Sequence, residues 1–124
     1  MCGFVGFWLP RPATADALLN QARVMADAIS HRGPDGAGAW CDPAVGFALA
    51  HRRLSILDLS PAGHQPMRSA SSRFMIAFNG EIYNHLEIRR ELEHAGLLSR
   101  PWHGRSDTET LLAAIEAWGL EATL

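Results

Sequence analysis

The sequence predicts an α+β layered fold. Strand-like runs cluster in the middle of the chain. Helical apolar periodicity is set apart on either side, and strands do not alternate with helices as a βαβ series requires. At 124 residues and 48% hydrophobic composition, the chain suits one modest packed domain rather than a disordered segment. No repeat, low-complexity tract or linker interrupts it, so no internal domain boundary is expected.

Residues 2–8 read as a buried strand stopped by Pro10–Arg11–Pro12. Residues 14–30 read as a helix, with Leu18, Leu19, Ala22, Met25, Ala26 and Ile29 on one stripe and Thr14 as its cap. Gly33–Pro34–Asp35–Gly36 is a turn. Candidate strands follow at 37–40, 45–50, 53–57 and 73–78, the last continuing at 80–83 after Asn79–Gly80. The two prolines and the glycine between Ser60 and Met67 predict a loop. A second helix starts near Asn84, which has capping-box spacing to Glu87, and ends by Gly96. A third starts near Ser106, again with a glutamate three residues on. It carries Leu111, Leu112, Ile115 and Trp118 and stops at Gly119.

Composition excludes several function classes. A net charge of −2 gives no footprint for nucleic acid, and all eleven basic residues are arginine, so a lysine nucleophile or phosphate-loop lysine is absent from this chain. Two cysteines, Cys2 and Cys41, do not make a disulfide framework, which points to a reduced, cytoplasmic setting. The start lacks the basic region of a signal peptide, and no stretch is apolar enough to cross a membrane. The six histidines show neither His-x-x-x-His nor Cys-x-x-Cys spacing, so no metal site is expected.

Cys2 directly follows the initiator methionine. Removal of Met1 would place a thiol and a free α-amine on one residue. With an amine pKa of about 7.7–8, roughly a third of such amines are neutral near pH 7.5 and can serve as a general base. Gly3 would let a substrate approach the backbone. Alone, a cysteine at this position is more often an ordinary small buried residue.

The wider pattern gives Cys2 its context. MCGFVGF at the start is followed by HRGPDG at 31–36, HRRLSILDLS at 51–60, GHQPM at 63–67, FNGEIYNH at 78–85 and SDTETLL at 106–112. In this order they resemble the class II glutamine amidotransferase domain of glutamine-dependent asparagine synthetases. The resemblance implies an N-terminal-nucleophile hydrolase fold, a four-layer α/β/β/α sandwich of antiparallel sheets. It also implies that residues 1–124 are a partial domain, incomplete at the C-terminus, with the ATP-dependent synthetase domain absent from this chain.

What the resemblance implies for the site fits the chemistry of free glutamine. Arg53 is similar to the family's α-carboxylate clamp, for which a guanidinium fork is suited. Leu54, Ser55, Ile56 and Leu57 resemble the strand lining the glutamine pocket. Asn79 and Gly80 resemble the oxyanion donors, Glu81 a further substrate contact, and Asp107 the partner of the α-ammonium. Each also has a local explanation: a solvated strand arginine for Arg53, a turn for Asn79–Gly80, a favoured acid beside a helix start for Asp107. Strand alternation sends Arg52 and Arg53 to opposite faces, so one of them reaches the pocket. His31, Arg32 and Asp35 are expected to fix the loop after the first helix. Gln65, Asp58, Tyr83 and Asn84 buttress the pocket or an interdomain face, or serve ordinary turn and capping roles. Cys41 is a packing residue.

The implied activity is glutamine hydrolysis to glutamate and ammonia through a Cys2 thioester, the ammonia passing to aspartate activated by ATP and Mg²⁺ in a synthetase domain in cis. A homodimer is the implied full-length assembly. No cofactor is expected in this chain. The motifs read glutamine rather than the acceptor, so a peptide or antibiotic-type acceptor stays open, as does a non-catalytic glutamine-binding module. An isolated, truncated layered fold is expected to expose apolar surface and self-associate.

Overall fold

The computed structural model describes residues 2–55 and 60–124 and has the mixed α+β character, with antiparallel sheets, that the sequence predicts. It divides into two compact units. The first holds residues up to 56 together with His64–Pro66 and Ala77–Asn79. The second holds 57–63, Met67–Ile76 and Gly80–Leu124.

The first unit is a three-stranded sheet, β1 (Gly3–Trp8), β2 (Gly36–Asp42) and β3 (Phe47–Arg53), with helix α1 (Ala15–Asp27) on one face. The strand order is β1-β3-β2 and both pairings are antiparallel, Gly3 lying opposite Arg52 and Gly36 opposite Arg53. Thr14 caps α1 as its sequence position predicts, its hydroxyl accepting from Ala17 N–H at 3.3 Å. Leu18, Ala22 and Ala26 recur every four residues and pack on Ala48 and Ala50. Alanine on both surfaces lets the helix lie close to the sheet.

Several sequence expectations are corrected here. The first strand is not buried on both faces: Val5 and Phe7 turn to the core, while Phe4 and Trp8 are 49% and 68% exposed. The first helix ends at Asp27 instead of continuing to 30. A one-turn 3₁₀ helix, Ser30–Arg32, carries the chain into the Gly-Pro turn. The strand expected at 45–50 and the start of the one expected at 53–57 are one strand, β3, which runs through His51 and Arg52 and ends at Arg53; positions 56 and 57 lie outside the described residues. The polar pair does not break it because each side chain finds a partner. His51 meets a backbone carbonyl, and Arg52 donates to Ala26 O at 3.3 Å and pairs with Asp27.

In the second unit, β4 (Met67–Arg68) pairs with β5 (Met75–Ile76) as a short antiparallel hairpin. Helices α2 (His85–His94), α3 (Asp107–Trp118) and a final turn, α4 (Leu120–Thr123), follow. The hairpin is tied to α3 where Ser71 N–H donates to Glu116 at 2.9 Å. The strand expected at 73–78 shrinks to two residues because both backbone groups of Phe78 are taken by side chains. The continuation expected at 80–83 is absent, and Ile82 N–H goes to the Asp107 carboxylate instead of a ladder. Asn84 precedes α2 without a side-chain cap, so the capping box with Glu87 does not form. Ser106 does cap α3, accepting from Thr108 N–H at 3.2 Å. No helix among the described residues is long and apolar enough to cross a membrane.

Candidate active site

The site is built from the leading end of β1 and the trailing end of β3. The β1–β3 register brings the residue before Gly3 beside the chain that leaves Arg53. There the half-buried Cys2 thiol sits against one peptide backbone: Sγ accepts from Leu54 N–H at 3.2 Å and lies 3.4 Å from Leu54 O. The Cys2 carbonyl accepts from Arg32 Nε at 3.2 Å, so the turn after α1 grips the backbone of Cys2 itself.

The Gly33–Gly36 turn is bound to the same strand end. Asp35 N–H donates to Arg53 O at 3.0 Å, and the Asp35 carboxylate accepts from Ser55 N–H at 2.8 Å. A Cβ on Gly33 would run into the backbone of Arg52 and Arg53, which is why glycine stands at this approach. Arg32 and Asp35 therefore do more than shape a loop: they hold Cys2 and residues 53–55.

The alternation expected of the arginine pair is observed. Arg52 turns to α1, so Arg53 and His51 share the opposite face of the sheet. Arg53 is half-buried at the last position of β3, followed by the half-buried Leu54 and Ser55. Ile56, Leu57 and Asp58 lie outside the described residues. Asn79 is exposed at the end of the first unit, and Gly80 and Glu81 are exposed at the start of the segment that follows in the second.

Asp107 is only 7% exposed, at the head of α3. One carboxylate oxygen accepts from Ile82 N–H at 2.9 Å and the other from Thr108 N–H at 2.8 Å. It thus fixes the backbone just after Glu81. An ionised carboxylate has about four acceptor positions, so this leaves capacity for a cationic partner. The helix N-terminus favours its negative charge.

Two supporting residues escaped the sequence reading. Arg89 on α2 donates to Thr110 Oγ1 at 2.7 Å, Gly104 O at 2.8 Å and Ser106 O at 2.9 Å, and pairs with Glu109 at 3.5 Å. Its guanidinium also stacks 4.2 Å from the Trp102 ring. Glu109 accepts from His103 N–H and Gly104 N–H at 2.8 and 3.1 Å. The glutamate expected to cap Ser106 therefore braces the loop before α3. The second residue is His51, fully buried on β3. Burial holds its imidazole below the usual histidine range, aided by the positive charges of His64 and Arg53. The bond to Phe78 O works in the other direction. The only sequence signal for His51 was its place at the head of the 51–60 motif, and Arg89 lies outside every motif.

The two cysteines differ in surroundings. Burial, with the carboxylates of Asp42 and Asp16, pushes the Cys41 thiol up, as suits a passive residue. Among the described residues, no three His, Cys, Asp or Glu side chains are grouped to hold a metal ion.

Comparison with known proteins shows the family. A family model described as a glutamine amidotransferase domain matches residues 1–124, and the chain belongs to that family. It is 43% identical over 126 residues to asparagine synthetase [glutamine-hydrolyzing] 1 of Bacillus subtilis, covering 98% of this chain and 18% of that protein. To asparagine synthetase B [glutamine-hydrolyzing] of Escherichia coli it is 34% identical, covering 98% of this chain and 20% of that protein. It is also 33% identical to amidase chry2 of Gibberella zeae over 106 residues, covering 86% of this chain and 15% of that protein. The chain spans at most a fifth of the length of these three relatives.

Proposed function

We propose that this chain is the glutaminase part of a longer amidotransferase, with Cys2 as the N-terminal nucleophile. The contact that carries the reading is the Cys2 thiol against the backbone of Leu54, at 3.2 Å, next to Arg53. It sets a nucleophile beside a strand end offering a guanidinium and backbone groups, a combination suited to the amino-acid portion of glutamine.

In the proposed reaction the free amine of Cys2, directly or through a water, takes the thiol proton as sulfur attacks the side-chain amide carbon. Asn79 Nδ2 and Gly80 N–H donate to the oxyanion. Collapse breaks the C–N bond, and the departing nitrogen takes a proton and leaves as ammonia. Water then hydrolyses the γ-glutamyl thioester, releasing glutamate and the thiol. Arg53 takes the α-carboxylate and Asp107 the α-ammonium, with Leu54 to Leu57 and Glu81 as further contacts.

The finer fold proposal is the four-layer α/β/β/α sandwich, of which residues 1–124 form part. A synthetase domain in cis would use ATP and Mg²⁺ to activate aspartate and receive the ammonia. The asparagine synthetases among the relatives support that acceptor. The likeness to a protein named an amidase favours a second reading, the same glutaminase with another acceptor.

The test uses the full-length protein, with Met1 removal checked by intact mass. Glutamate release from glutamine is expected and should vanish in Cys2→Ala. Residual turnover by that variant would exclude Cys2 as nucleophile. Asn79→Ala should lower kcat by the equivalent of about 2.7–4 kcal/mol. Asparagine formed from aspartate, glutamine and ATP-Mg²⁺ would assign the acceptor, and glutamate release without it would favour the second reading.

A further inference from the structure

The peptide units around Phe78 are held by two side chains of the first unit. Phe78 N–H donates to Gln65 Oε1 at 2.6 Å, and Phe78 O lies 3.3 Å from His51 Nε2. A carbonyl can only accept, so the hydrogen is on Nε2. Nδ1 is then a bare acceptor, buried and without a hydrogen-bond partner among the described residues. His51 is 0% exposed. Leaving such an acceptor unmet costs about 1–3 kcal/mol, which an apolar side chain at this position would avoid.

The seat of Gln65 is equally specific. A Cβ on Gly38 would collide with the Gln65 carbonyl and the His64 ring, so glycine in β2 lets this segment lie directly on the sheet. The next residue after this doubly held backbone is Asn79. Asn79 is itself exposed, so the direction of the chain entering it comes from Phe78.

We infer that His51 and Gln65 are positioning residues for the glutaminase reaction, which fix the Phe78 backbone and thereby aim Asn79 at the oxyanion. The inference rests on the oxyanion role proposed above for Asn79. An error of about 1 Å in the placement of such a donor can cost about a hundredfold in rate.

The experiment measures kcat and KM for glutamine in the full-length protein. Competent sites are counted by labelling Cys2 to completion with a diazoketone analogue of glutamine and quantifying the labelled peptide. His51→Leu and Gln65→Met remove the donor and the acceptor. His51→Gln returns an N–H near the Nε2 position, and Gln65→Glu retains an acceptor. The two deletions are expected to lower kcat per labelled site by about 10- to 100-fold with KM within about twofold, and the conservative pair to recover most of that loss. A merely structural role would reduce the number of labelled sites and leave the rate per site at the wild-type value. That outcome would overturn the inference, as would equal losses in deletion and conservative variants. If His51→Leu gives no labelled protein, Gln65→Met against Gln65→Glu decides by the same criterion. If the wild type neither hydrolyses glutamine nor labels at Cys2, the glutaminase reading fails first and this inference falls with it.

Discussion

The two units cohere by different physics. In the first, Leu18, Ala22 and Ala26 pack on Ala48 and Ala50, and the central strand β3 is paired on both sides. In the second, Ser106, Asp107, Thr108, Glu109 and Thr110 are all buried at the head of α3, with Arg89 among them. The second unit also buries apolar side chains, Leu92, Leu111, Leu112 and Ile115 among them, but it adds a polar network around one guanidinium. An unpaired charge should therefore weigh most in the second. Each unit applies its own device to its candidate site residues: sheet register sets Cys2 beside Leu54, and backbone N–H groups of Ile82 and Thr108 seat Asp107.

The largest expected effect is in the polar network. Arg89→Met leaves Glu109 buried without its cation and should destabilise the protein by about 3–5 kcal/mol. Urea denaturation measures it. Adding Glu109→Gln should restore part of the loss, since the stranded charge is then gone. A single-variant cost below about 1 kcal/mol, typical of an exposed pair, would break the contrast between the units.

Leu18→Ala probes the first unit. It removes a fully buried side chain, and such changes cost about 2–5 kcal/mol. The lower end is expected because the surrounding alanines let helix and sheet settle together. A cost at the upper end would mean that this small core is as rigid as a large one.

Among the described residues of the first unit, His51 is the buried side chain that titrates, and pH addresses it. Burial lowers the pKa of His51 in the folded state. Between that value and the unfolded pKa of about 6.5, the unfolded chain binds more protons. Stability should therefore rise as pH rises through this window and be lost as pH falls below about 6.5. Thermal melts from acid to neutral pH should show this slope, and His51→Gln should flatten it. An unchanged slope in that variant would place the titrating group elsewhere.

Much of the first unit was legible because its signals are local. The apolar stripe of α1, the cap at Thr14 and the turn at Gly33–Gly36 all depend on neighbours within a few residues. What was missed depends on partners distant in sequence. β3 continues through His51 and Arg52 only because Phe78 and the end of α1 receive their side chains. No strand forms at 80–83, where Ile82 N–H meets Asp107. Arg89 resembles any charged helix residue until Thr110, Gly104 and Ser106 are folded around it. The candidate site was legible as motifs, while Arg32, His51 and Gln65, which bind the Cys2 and Phe78 backbone, carry their meaning in long-range contacts.

The smallest effects separate two caps that look alike in sequence. Thr14 accepts from Ala17 N–H and meets one of the donors that the start of α1 leaves open. Asn84 stands in the corresponding place before α2, yet its side chain makes no capping bond. Thr14→Ala should cost about 1 kcal/mol, somewhat less if the 3.3 Å bond is weak. Asn84→Ala should stay within about 0.5 kcal/mol, as for a surface residue without such a role. Measured together by urea titration, the pair asks whether geometry or residue type sets the contribution. Equal losses would favour residue type, and the α2 start would then gain a solution-state cap. A loss confined to Thr14 would show that the spacing Asn84–Glu87 is a capping signal that the fold leaves unused.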